Sequence, residues 1–313
     1  MFPRPLLFLA SLSSLFCLPF SLSSALTVTP IASGFGWIEN LAFDGLGTLF
    51  ASDLHGTLSR VTYDPSTDSY ATSPVLTGYK KFLGLALDPA NPSGRLFAAG
   101  LDAGGSSVLL AVEPSSNSSY VIAKWEGNCP NGLGYDAETS TLYASSEGNF
   151  FPGGGFVYEV DVKTGVVTTL KDDLWAADGL WIDSERGLLY VGQLIHSSKM
   201  WVYDLRNKVD LGFIAGLPHG LMDDFTLSPD GRRVVGADWT FSRVVSFPAY
   251  GYSSDGEMEV IAAEGFGHIT SVRYGKGKGF EGALFVSEGS VTSVVGRSRE
   301  DRILKIDIDT IDK

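Results

Sequence analysis

The sequence predicts an all-β fold, a six-bladed β-propeller, from three observations. A strand-turn-strand unit recurs six times, its spacing is nearly constant, and no segment carries a convincing helical period. The opening strands of the six copies start at Leu41, Leu85, Leu133, Leu180, Phe225 and Val272, in steps of 44, 48, 47, 45 and 47 residues. Units of about 45 residues with three or four strands fit propeller blades, whereas a parallel β-helix needs much shorter repeats.

In the first copy an apolar strand ends in a turn residue (Leu41-Ala42-Phe43-Asp44), and a Gly-containing turn leads to a second strand, Thr48-Leu49-Phe50-Ala51-Ser52-Asp53. A third strand follows at Leu58-Ser59-Arg60-Val61. Later second strands read Leu96-Phe97-Ala98, Leu142-Tyr143-Ala144, Leu189-Tyr190-Val191, Val234-Val235-Gly236 and Leu284-Phe285-Val286. Third strands follow around Val108, Phe156, Met200, Arg243 and Arg302. Branched and aromatic runs bounded by Gly, Asp, Asn and Pro carry the strand pattern throughout. The sixth copy ends close to the C-terminus, so residues Thr27 to Ala32 are expected to supply its outermost strand and close the ring.

Residues 1–25 read as a secretory signal peptide: Arg4, an apolar stretch from Leu6 to Phe20, then the small residues Ser23-Ser24-Ala25. This makes residues 26–313 one propeller domain, secreted or in the secretory pathway, with no membrane anchor after cleavage. Arg4 is the only charged residue of the leader, so its removal takes the formal charge from -13 to -14. With no basic run, binding to nucleic acid or an anionic membrane is disfavoured. Cys17 leaves with the leader and Cys129 stays alone, so the mature chain has no internal disulfide. Asn117-Ser118-Ser119 is the one glycosylation sequon, in a polar stretch that reads as an exposed loop.

The residue two places before each opening strand start is, in order, Glu39, Leu83, Asn131, Asp178, Asp223 and Thr270. The first strand of a blade lines the central channel, so these positions converge at one mouth. Carboxylate and amide oxygens without imidazole or thiolate form a hard site, favouring Ca²⁺ over softer metals. The plain alternative is that Asp, Asn and Glu mark turns ahead of strands.

At these residues a resemblance becomes visible. Ile38-Glu39-Asn40-Leu41-Ala42-Phe43-Asp44, Asn131-Gly132-Leu133, Asp178-Gly179-Leu180 and Met222-Asp223-Asp224-Phe225 resemble the blade-opening motifs of the SMP-30 family of gluconolactonase, regucalcin and luciferin-regenerating enzyme. More distantly they resemble diisopropylfluorophosphatase and the paraoxonases. The resemblance implies a divalent ion, Ca²⁺ or else Zn²⁺, Mn²⁺ or Mg²⁺, held by Glu39, Asp178 and Asp223, with Asn131 near metal or substrate. It also implies Asp223 as base or nucleophile, and it departs at Asp178, where the family usually has Asn.

Asp224 competes with Asp223. Side chains alternate along a strand, so only one of the two is expected to face the channel, and register favours Asp223. His268 lies near the same mouth and is a candidate proton shuttle, with a rim role as its alternative. His219 holds a similar loop position, whereas His55 and His196 fall in later turns. Trp37, Trp175 and Trp181 flank the ligand positions, and Trp37 and Trp181 are taken as candidate substrate contacts. Gly153-Gly154-Gly155 lies between strands and reads as a hairpin, and Cys129 as a partly buried free thiol.

The function these residues point to is metal-dependent hydrolysis of a small-molecule lactone or related ester. A non-catalytic binding propeller and a secondary-metabolism tailoring enzyme, strictosidine-synthase-like or lactone-rearranging, are the alternatives.

Overall fold

The computed structural model describes residues 26–89, 94–149, 153–195, 199–214, 217, 220–253, 256–263, 265–289 and 301–308. The expected leader, His196 and His219 lie outside the described residues. A lone strand, β1 (Val28–Ser33), precedes the first blade, which comprises β2 (Ile38–Phe43), β3 (Thr48–Asp53), β4 (Leu58–Asp64) and β5 (Ser69–Leu76). The second blade holds β6 (Lys81–Leu87), β7 (Leu96–Leu101), β8 (Ser107–Glu113) and β9 (Ser118–Trp125). The third holds β10 (Leu133–Asp136), β11 (Thr141–Ser146), β12 (Gly155–Asp161) and β13 (Val167–Leu174). The fourth holds β14 (Ala177–Asp183), β15 (Leu188–Gln193), β16 (Met200–Asp204) and β17 (Val209–Ile214). The fifth holds β18 (Met222–Leu227), β19 (Arg233–Asp238), β20 (Arg243–Pro248) and β21 (Glu259–Ala262). The sixth holds β22 (His268–Tyr274), β23 (Ala283–Gly289) and β24 (Arg302–Asp307).

These strands form six four-stranded antiparallel sheets, the sixth being completed by β1 in the order β1-β24-β23-β22. Val28 pairs with Ile306 and Ser33 with Arg302, with an irregularity between Pro30 and Ala32. The closure expected from the sequence is therefore present, and among the described residues Cys129 is a free thiol. It hides the edge of β24 inside a sheet, removing an exposed pairing edge.

Each apolar cluster spans a junction between neighbouring blades. Phe50 and Leu58 of the first blade meet Phe82 and Leu110 of the second. Phe43 and Leu49 meet Phe280 and Phe285 across the seam between sixth and first. Edge-to-face contacts at 5.1 and 5.2 Å join Phe43 to those two rings. The repeated Leu-aromatic-Ala/Val run of the second strands is thus explained: buried on both faces, it packs against a blade on either side.

Two smaller expectations find their place in this frame. Asn117 sits in the exposed turn between β8 and β9, with φ at 51°. Gly153 to Gly155 lead into β12 from the second strand of the same blade, a hairpin position.

Candidate active site at one mouth of the channel

The innermost strands start earlier than the sequence pattern suggests. Glu39, Asp178 and Asp223 consequently lie inside β2, β14 and β18 rather than in preceding turns. Each sits on a bulge. Ladder pairing jumps from Ile38 to Asn40, from Ala177 to Leu180 and from Met222 to Phe225. Asn131 stands just ahead of β10, where its N–H donates to the Ser145 carbonyl at 2.8 Å. A bulge bends its strand and re-aims the extra residue, and here it does so in one blade after another around the same mouth.

This corrects the reading of Asp223 and Asp224 as alternatives. Two residues oppose one across the bulge, so strand alternation is broken and Asp224 reaches across the channel. Its Oδ2 accepts from Asn40 Nδ2 at 3.0 Å, Ser271 Oγ at 2.7 Å and Arg273 Nη2 at 2.7 Å. Arg273 also donates to Asn40 Oδ1 at 2.9 Å and to the Phe225 carbonyl at 2.9 Å. Asp224 is 3 % exposed, and its Oδ1 has no hydrogen-bond partner.

The glycines that follow the ligand positions explain the x-Gly-Leu motifs. A Cβ on Gly132 would come within 2.5 Å of the Asp178 carbonyl, and one on Gly179 within 2.8 Å of the Asp223 carbonyl. Only glycine lets the bulges of consecutive blades approach this closely. Hydroxyls then tie them together. Ser145 Oγ donates to the Asp178 carbonyl, and Thr270 Oγ1 donates to the Ile38 carbonyl at 2.8 Å. Thr270, equivalent to the ligand positions, is therefore a blade-to-blade tie.

Two of the ligand strands are entered through a left-handed residue, Trp37 at φ 61° and Ala176 at φ 49°, each two places before its carboxylate. For a non-glycine residue this costs roughly 1–2 kcal/mol. Hydrogen bonds hold it: the Trp37 carbonyl accepts from Leu54 N–H at 3.0 Å and the Ala176 carbonyl from Leu194 N–H at 2.9 Å. Trp37 N–H also donates to Asp301 Oδ2 at 2.8 Å.

The carboxylates at this mouth oppose one another's ionisation. Burial, then Glu147, pushes Glu39 up to about 8 against the opposing pull of Lys81. Asp178 is held well above the usual carboxylate range by burial first, then by Asp223, Glu147 and Glu39. Asp223 is raised by burial, then by Glu39 and Asp224. Glu147, directly after β11, is raised to about 7, with Lys81 opposing. Glu147 and Lys81 are site residues that the sequence reading missed. Cys129 lies beside Lys81 in the same environment, and burial pushes its thiol up, as befits an unreactive cysteine.

Other candidates are placed differently. His268 opens β22 at this mouth, stacked on Trp239 at 4.5 Å with Nδ1 3.2 Å from the Trp239 carbonyl. Trp181 does not join the group: three residues beyond Asp178 along β14, about 10 Å at strand rise, it lines a cavity at the opposite mouth.

The donor set, the carboxylates of Glu39, Asp178 and Asp223 with the Asn131 amide, has the all-oxygen chemistry that suits a hard cation. Among the described residues, however, no group of three or more His, Cys, Asp or Glu side chains is arranged to hold a metal ion. No helix among them is long and apolar enough to cross a membrane.

The sequence matches no protein-family model and no curated protein. The architecture does find solved relatives. Luciferin-regenerating enzyme superposes with a TM-score of 0.67 at 16 % identity, covering 90 % of this chain and 95 % of that one. This chain has the six-bladed propeller architecture of luciferin-regenerating enzyme and gluconolactonase. The gluconolactonase, from Xanthomonas campestris, gives 0.67 at 15 % identity, with 90 % and 89 % covered. An aldose sugar dehydrogenase from Streptomyces coelicolor, in its PQQ-bound form, gives 0.64 at 14 %, covering 91 % and 99 %. Identities this low establish the fold, and one fold serving a lactonase and a dehydrogenase leaves the chemistry to be argued from the site.

Proposed function

We propose that this chain is a secreted, metal-dependent hydrolase of a lactone or related ester, working at the carboxylate mouth. The observation that carries the reading is the convergence of Glu39, Glu147, Asp178 and Asp223, from four blades, on one mouth where they oppose one another's ionisation, with Lys81 as the opposing charge. Like charges that interact this way oppose one another's ionisation unless a cation joins them. Glu39, Asp178 and Asp223, with Asn131, would have to close on that cation from positions in which they do not yet form a ligand group, and their all-oxygen chemistry favours Ca²⁺. A cation held there would supply Lewis acidity toward the substrate carbonyl.

The chain's own groups account for the protons. Ionised beside the cation, Asp223 would take a proton from the water that attacks the carbonyl, or would attack it directly to form an acyl-carboxylate that water then hydrolyses. Glu147, whose carboxyl burial pushes up, and His268 at the same mouth are the candidates to return a proton to the alkoxide as the C–O bond breaks. Trp37, entering β2 beside Glu39, would flank the substrate. Similarity to a gluconolactonase supports the choice of lactones as the first substrates to try.

Purified protein assayed against aldonolactones, aryl esters and phosphotriesters, with and without chelator, tests this. Chelator-sensitive turnover of a lactone or ester is expected. A metal-replete preparation inert toward all three classes would refute it.

A further inference from the structure

The residues two places before Glu39, Leu83, Asn131, Asp178, Asp223 and Thr270 form a second ring at the acidic mouth: Trp37, Lys81, Cys129, Ala176, Leu221 and His268. The ring is lopsided. Its sixth and first blades carry aromatic rings, whereas its second and third carry an ammonium and a thiol, with Glu147 acting on both.

The aromatic side is continuous. His268 stacks on Trp239, the residue after β19, with ring centroids 4.5 Å apart and planes inclined by 24°. Trp239 N–H donates to the Leu221 carbonyl at 2.9 Å, which fixes it beside the strand that carries Asp223. Across the ladder from His268 stands Gly289, at the end of β23. Trp37 lies over that glycine, since a Cβ there would stand 3.0 Å from its Nε1. Glycine at this point is what lets an indole of the first blade reach across the sixth. The arc formed by Trp37, His268 and Trp239 thus runs over the first, sixth and fifth blades.

These indoles have no part in the core. Trp125 and Trp181 pack on apolar clusters, but among the described residues neither Trp37 nor Trp239 joins one. Both are only half-buried. Polar groups on this side are already committed: Thr270 Oγ1 contacts the Ile38 carbonyl and Ser287 Oγ, each at 2.8 Å, and His268 Nδ1 lies 3.2 Å from the Trp239 carbonyl. A polyhydroxylated ring held here would leave hydroxyls without partners, whereas an arene has none to satisfy.

We propose that the substrate of the acidic mouth is a lactone or ester carrying an aromatic ring, which lies against Trp37, His268 and Trp239 with the lactone or ester group turned to the carboxylates. This rests on the hydrolase reading and names its substrate class. Offset or edge-to-face contact with an indole favours an arene over a saturated ring of the same skeleton, and an arc confined to one side of the mouth sets which way the ligand points.

β-Tetralone, the unhydrolysable carbocyclic analogue of the aryl lactone dihydrocoumarin, probes the arc without turnover, and β-decalone is the same skeleton with no arene. Calorimetry on the purified protein is expected to show β-tetralone binding roughly three- to tenfold more tightly than β-decalone. Trp37→Ala and Trp239→Ala should each weaken β-tetralone roughly tenfold. Phe213→Ser, at a side chain 53 % exposed on the outer strand of the fourth blade, should leave it unchanged. Wild-type crystals soaked with β-tetralone should show it against the indoles, a result that depends on no variant folding. In turnover, the two tryptophan variants should raise KM for dihydrocoumarin by roughly tenfold and leave KM for δ-valerolactone within about twofold. Selective binding of β-tetralone with no turnover of either lactone would sink the hydrolase and leave the ligand class standing. No preference over β-decalone, indifference to both tryptophan variants, β-tetralone located elsewhere, or a KM for δ-gluconolactone as low as that for dihydrocoumarin would overturn this proposal and leave the hydrolase intact.

Discussion

The two mouths of the channel are built on the same six strands and have opposite chemistry. Two residues before the strand's apolar anchor stand Glu39, Leu83, Asn131, Asp178, Asp223 and Thr270, and one residue after it stand Ala42, Ala86, Gly134, Trp181, Thr226 and Arg273. One end gathers carboxylates on bulged backbone, and the other carries small residues packed into blade junctions beside Trp181, Thr226 and Arg273 on regular strand. A pseudo-symmetric scaffold allows this because each offset forms its own ring of side chains, filled independently of the next. The Arg273–Asp224 pair marks the boundary between them.

Both mouths exist only while the ring is closed, and the most drastic way to break the comparison is to open it. Deleting residues 26–33 removes β1 and bares the edge of β24. Loss of the cooperative thermal transition is expected, and an unchanged midpoint in calorimetry would show that the clasp is dispensable. At the acidic mouth alone, Asp223→Asn should lower turnover by about 10²–10⁴-fold with native circular dichroism, as for removal of a general base. Full residual activity would end that assignment.

The boundary itself is open to test. Arg273→Gln leaves Asp224 buried without its cation and should cost roughly 3–5 kcal/mol in urea denaturation. Adding Asp224→Asn should restore part of that loss. If the double variant is no more stable than the single, the pair does not carry the charge balance described here.

A smaller effect distinguishes the mouths by pH. Glu39 ionises near 8 in the folded chain against an ordinary 4.5, so the native state holds protons that the unfolded chain has released. Stability from this group is complete below about 4.5 and is lost as pH rises through about 8. In chelator, the thermal midpoint should therefore fall between pH 6 and 9, and Glu39→Gln should flatten the slope. A midpoint that rises over this window would contradict the shared environment.

Much of this was legible in the sequence because the repeat is a packing constraint. Leu-aromatic-Ala runs buried on both faces announce second strands, and the fixed offset from them exposed Glu39, Asn131, Asp178 and Asp223. The fourth strand of each blade was harder to see. β5 and β13 lie on the rim with mostly exposed side chains, so no apolar pattern marks them. Asp224 was misjudged for a different reason: alternation holds for regular strands, and a bulge is a tertiary feature that leaves no clear trace in composition. Glu147 was detectable in principle. Its equivalents in the other copies are Leu54, Leu101, Leu194, Trp239 and Gly289, so an acid there is a departure from the repeat. Trp181 shows the converse risk, since closeness in sequence to Asp178 meant the far mouth of the channel rather than the same site.

The most direct test of the acidic mouth is Ca²⁺ binding measured by calorimetry on chelator-stripped protein, paired with metal analysis of the protein as purified. One divalent ion per chain, lost in Glu39→Gln and in Asp223→Asn while Trp181→Ala retains it, is the predicted result. Stripped wild-type protein that takes up no Ca²⁺, Zn²⁺, Mn²⁺ or Mg²⁺ would contradict it.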